Sequence, residues 1–66
     1  MAKQKFTLKQ WRNIRGLTLI DVAQEVGVHF TTIARWEKEP TVIPIKRVEA
    51  LEKALNINWA NDVKVR

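Results

Sequence analysis

Gly27 stands between two short apolar stripes, and this arrangement limits the chain more than any other feature. Before it, Leu19, Val22, Ala23 and Val26 recur at helical spacing; after it, Ile33 and Trp36 stand three residues apart. Neither stripe is long enough to hold a helix on its own, so each must pack against the other and against the rest of the chain. Glycine takes the left-handed backbone angles of a tight corner without strain. Segment 18–37 therefore predicts two short helices meeting at a three- to four-residue turn. Ala23 is small enough to let them close, and Val28 plugs the corner.

The flanking residues extend this pattern. Thr7 is an N-cap for a helix over 8–15, with Leu8, Trp11 and Ile14 or Arg15 at helical spacing, and Gly16 stops it. Thr18, with Asp21 three residues on, opens a second helix over 19–26. A third runs over 30–38 and ends at Pro40, its Ile33 and Trp36 facing the core. Residues 39–44 form a loop between two prolines. Pro44 suits the first turn of a fourth helix over 45–55, which places Ile45, Val48, Leu51, Ala54 and Leu55 on one face. Asn56 suits a left-handed cap, and Asn58 caps a last turn holding Trp59. Residues 1–6 read as a loose basic arm. The alternation Val-Lys-Val-Arg at 63–66 suits either a strand or a frayed tail.

Size and composition remove whole classes of function. Sixty-six residues make one domain, spanning 1–66, with 45% apolar residues for a small core. The chain has no cysteine, which excludes disulfides, thiolate zinc sites and thiol nucleophiles. A single histidine, His29, does not make a metal site. Helix packing, oligomerisation or both must supply the stability. No apolar run approaches the roughly 20 residues that cross a membrane, and no leader-like stretch opens the chain, so the expected location is the cytoplasm. The acids, the lone histidine and the scattered threonines show no nucleophile–base arrangement. No enzyme and no cofactor are expected.

Charge gives the first pointer to a partner. Twelve Lys and Arg against seven Asp and Glu leave +5. Residues 1–15 carry five of the bases and no acid, whereas residues 16–39 carry more acids than bases. A basic chain with a basic end suits a polyanion, and it equally suits solubility.

In Leu8-Lys-Gln-Trp-Arg-Asn-Ile-Arg-Gly-Leu-Thr18, Val22-Ala-Gln-Glu-Val-Gly-Val28, Thr31-Thr-Ile-Ala-Arg-Trp-Glu37 and Ile45-Lys-Arg-Val-Glu-Ala-Leu-Glu-Lys-Ala-Leu55, the chain resembles the lambda repressor/Cro-like helix-turn-helix regulators, the XRE family. The resemblance covers roughly residues 7–59. It implies an all-α fold, a compact bundle of about five short helices whose third helix reads DNA. Leu19, Ile20, His29 and Phe30 depart from the family, which commonly has polar residues, or Glu or Ala, at these places.

The resemblance also implies roles. The function expected is a sequence-specific transcriptional regulator, a repressor or Cro-like protein of phage or mobile-element type, with double-stranded DNA as partner. Phe30, Thr31, Ala34 and Arg35 are expected at base edges, because such domains enter the major groove with the start of that helix. Phe30 cannot hydrogen-bond a base. A thymine methyl suits it, and packing back onto the second helix is the other reading. Thr18, His29, Thr32, Lys46 and Arg47 are expected at phosphates, Lys46 and Arg47 otherwise forming a solvated face. Arg12 and Glu37 are expected to form a structural ion pair. One such domain offers few contacts, so a dimer is expected, with Trp59, Val63, Val65 and the 41–43 loop at its interface and 60–66 as a dimerisation tail. Trp59 alternatively sits at the core edge. The rival function is a protein-binding adaptor or antitoxin on the same fold, carried by Leu19-Ile20 and Val42-Ile43.

Overall fold

The computed structural model describes residues 5–64. Five α-helices follow in order: α1 (Leu8–Ile14), α2 (Leu19–Val26), α3 (Phe30–Lys38), α4 (Ile45–Leu55) and α5 (Trp59–Asp62), with one 3-10 turn (Pro40–Val42) before α4.

The helix starts are set by side chains. Thr7 and Thr18 each build a reciprocal capping box. The Thr18 hydroxyl accepts from the Asp21 N–H at 3.1 Å, while the Asp21 carboxylate accepts from the Thr18 N–H at 2.9 Å. Gln10 does the same for Thr7. Three of the exits use a left-handed residue, and Gly16, at φ 71°, follows α1. Gly27 has φ 84° and closes α2 through its N–H to the Ala23 carbonyl at 2.8 Å, an oxygen that also accepts from Val28 N–H at 3.0 Å. Asn56 closes α4 at φ 54°, a region asparagine tolerates. Pro40 ends α3, because the residue before a proline avoids helical angles and Glu39 sits at φ −131°.

The core lies where α2, α3 and α4 meet. Val22, Leu51 and Leu55 are each only 1% exposed; burying a side chain of this kind stabilises by roughly 2 kcal/mol. Ala23, Val26, Ile33 and Trp36 complete the centre, and Leu8 brings α1 onto it. Val28 is half-buried against this cluster at the corner between α2 and α3.

Several sequence expectations change. Ile45 is 87% exposed. It heads α4, and the packed stripe begins one turn later at Val48, so Ile45 overhangs the core edge. Ile14 is likewise exposed; the end of α1 is held instead by Arg15, whose guanidinium donates to the carbonyls of Leu55 and Asn56 at 2.7 and 3.0 Å and lies over the Trp11 ring. The apolar pairs split. Leu19 packs on the core while Ile20 is exposed, and Ile43 is buried while Val42 is exposed.

The ends of the chain meet. Phe6 forms a parallel bridge with Val63, donating to the Asp62 carbonyl at 3.1 Å and accepting from Lys64 N–H at 2.8 Å. Its ring stands edge-on to Trp11 at 5.3 Å. The end of the expected loose arm is therefore tied down, and the start of the 63–66 alternation is a bridge. Val63, expected at a dimer interface, is 4% exposed within its own domain because this bridge tucks it inward. Val65 lies outside the described residues.

Candidate nucleic-acid interface

The corner between α2 and α3 fixes how α3 meets solvent. Ile33 and Trp36 point into the core. At 100° per residue, Thr31, Ala34, Arg35 and Lys38 then project from the opposite side. Thr31, Arg35 and Lys38 are exposed and Ala34 is half-buried. The outward face is thus small and polar at its start and cationic toward its end. Lys38 was missed from the sequence, although its position seven residues after Thr31 gives the signal.

The first turn of α3 is pre-arranged. His29 Nδ1 accepts from the Thr31 N–H at 3.3 Å and lies 2.8 Å from the Thr31 hydroxyl. Nδ1 used as an acceptor leaves the ring proton on Nε2, so the imidazole offers a donor away from the helix. The same ring packs against Phe30 at 4.6 Å between centroids, tilted by 32°. Phe30 remains 41% exposed. Thr32 is half-buried beside the core-facing Ile33.

The remaining candidates come from other elements. Thr18, at the head of α2, is exposed while its oxygen caps the helix. Lys46 and Arg47 are exposed in the first turn of α4, where Pro44 supplies no side-chain cap, so the leading N–H groups suit an anion. Arg47 also has a structural task. Its Nη1 donates to the Val26 carbonyl at 3.0 Å, placing a cation at the carbonyl end of α2.

Behind α3, Arg12 and Glu37 pair. Arg12 Nε donates to Glu37 Oε2 at 2.7 Å and Nη2 lies 3.5 Å from Oε1, with the two side chains 13% and 10% exposed. Arg12 Nη1 also donates to the Leu17 carbonyl at 3.1 Å. One guanidinium therefore ties α1, the turn before α2 and the last part of α3 into one body. Trp59 sits elsewhere, half-buried beside Pro40, Thr41, Ile45 and Val48.

Among the described residues no helix is long and apolar enough to cross a membrane. A family model described as helix-turn-helix matches residues 8–60. No curated protein and no solved structure matches the chain.

Proposed function

We propose that this chain, which belongs to the lambda repressor-like helix-turn-helix family of DNA-binding regulators, is a sequence-specific cytoplasmic repressor of Cro type, from a phage or mobile element, that acts by binding and not by catalysis. The observation that carries the reading is the outward face of α3. A helix short enough to enter a major groove presents Thr31, Ala34, Arg35 and Lys38, while Ile33, Trp36 and the Arg12–Glu37 pair hold its inner side rigid.

In this reading the start of α3 meets base edges through Phe30 and Thr31. Arg35 is the long donor for guanine or a phosphate. Thr18, His29, Thr32, Lys46 and Arg47 hold the duplex backbone and set the register of α3. The protein binds as a homodimer on a two-fold site, because two recognition helices about one turn of DNA apart, roughly 34 Å, supply the contacts that one domain lacks. Trp59 and the exposed residues Val42 and Ile45 form the shared surface.

Selection of bound duplexes from a random pool, followed by binding of the selected site at graded salt, tests this. The expected result is an enriched two-fold sequence, bound with an affinity that falls steeply as salt rises. An unenriched pool would overturn sequence-specific binding and favour a protein-binding adaptor or antitoxin. A footprint with one unpaired half-site at saturating protein would overturn the dimer.

A further inference from the structure

Ile20 and Phe30 come from different helices and line one groove. Ile20 is the second residue of α2 and is 54% exposed; Phe30 is the first of α3 and is 41% exposed. The open groove they line is completed by Leu17, Thr18 and Leu19, with Arg12 and Asn13 of α1 as its polar edge. Leu19 packs inward on the core and gives the groove an apolar floor. His29 packs against the Phe30 ring, and Arg12 is held in place by Glu37. Large apolar side chains held apart and open to water cost free energy unless something covers them.

The position names what covers them. The groove flanks the leading turn of α3, the end that a recognition helix offers to the major groove. Thr18, at the head of α2, lines it as well. Neither Ile20 nor Phe30 can exchange a hydrogen bond with a base. In the major groove the apolar feature that belongs to one standard base is the 5-methyl of thymine.

We propose that Ile20 and Phe30 act together as a reader of thymine 5-methyl groups, so that this protein selects part of its site by apolar contact across two helices. The proposal rests on the DNA-binding reading above. A methyl enters between the two side chains and takes the place of the water that covers them. Phe30 alone offers one wall. Ile20 supplies the second, which makes the contact sensitive to where the methyl sits along the duplex.

The experiment uses the full chain and its selected duplex. Each thymine is replaced in turn by uracil, which removes the methyl and leaves every hydrogen-bonding group in place. The expected result is a loss of about fourfold in affinity at one or two positions per half-site, the equivalent of one buried methyl or methylene group. In Ile20→Ala and in Phe30→Ala that uracil penalty shrinks at the same positions. Both side chains are exposed, so the variants are expected to keep the wild-type melting temperature. A duplex bound with no uracil penalty anywhere would overturn the proposal and leave the DNA-binding reading intact. A penalty unchanged in both variants would overturn it too, assigning the methyl to another residue. Failure to enrich any duplex would overturn the DNA-binding reading itself.

Discussion

Arg12 holds Glu37 at 2.7 Å across 25 residues of sequence, and this contact joins the first helix to the last part of α3. Both side chains are largely shielded from water, so the pair behaves more like an interior contact than a surface salt bridge. Removing one partner leaves the other shielded charge without its counter-ion. Arg12→Ala is expected to lower stability by about 3 kcal/mol, since it also frees the Leu17 carbonyl. The double variant with Glu37→Ala should lose less than the two single losses combined. Thermal melts of the three variants check this. Single variants within a couple of degrees of wild type would show that the pair is not structural.

Asp21 sets a pH dependence of known sign. The Thr18 backbone N–H, and after it the Thr18 hydroxyl, hold the Asp21 carboxyl below its ordinary 3.8. A carboxyl depressed in the folded state stabilises the fold fully above its unfolded value, and that contribution is lost as pH falls through the folded value. The melting temperature of wild type should therefore exceed that of Asp21→Ala by a constant margin above about pH 5, and the margin should shrink below about pH 4. Melts at a series of pH values give the answer. A margin that does not change with pH would remove the charge from the account.

Lys46 and Arg47 are neighbours in the first turn of α4 with different work to do. Lys46 is exposed and, among the described residues, its side chain is hydrogen-bonded to no other element. Lys46→Ala should weaken binding to all sequences alike and lower the slope of log affinity against log salt by about one, with an unchanged melt. Arg47 carries the hydrogen bond to the Val26 carbonyl. Arg47→Ala should flatten the slope in the same way and also lower stability by about 1 kcal/mol. Salt-graded binding and melts, measured on both variants, separate the two roles. Equal melts would show that the Val26 contact adds nothing.

The helix ends were legible in the sequence because capping is local chemistry. Thr7, Thr18, Gly27, Asn56 and Asn58 each act within a few residues of themselves, and each caps or closes a helix where spacing put it. The ion pair came from the resemblance and not from spacing. What spacing cannot carry is the joining of distant segments. Trp11 Nε1 donates to the Asp62 carbonyl at 2.7 Å across 51 residues, and Phe6 donates to the same oxygen. Nothing local announces that join, which is why the sequence points Val63 to a dimer interface when it packs within its own domain. Ile45 failed for a related reason: periodicity gives the direction of a side chain around a helix, but not whether the core extends as far as that turn. At the site, Thr31, Ala34 and Arg35 on the outward face of α3 followed from the 3.6-residue repeat. That Ile20 and Phe30 share a groove required the angle between two helices.

The exposure of Ile45 leads to the last prediction. A residue 87% exposed contributes little to the fold, yet this one stands beside Trp59, Val48 and the turn that carries Val42. The two-fold reading places that surface against its own copy, where each substitution acts twice. Ile45→Lys puts a charge into both halves and sets two like charges near the axis. The melt should be unchanged, because the side chain packs on little within its own domain. Affinity for a duplex with two half-sites should fall by at least about tenfold, which corresponds to about 1.4 kcal/mol, while affinity for a single half-site stays at its wild-type value. Gel-shift titrations on the two duplexes, with sedimentation of the complexes to count protomers, make the comparison. Wild-type affinity of Ile45→Lys for the double site would place the dimer contact elsewhere, and an equal loss on both duplexes would mean that Ile45 touches DNA instead of a second copy.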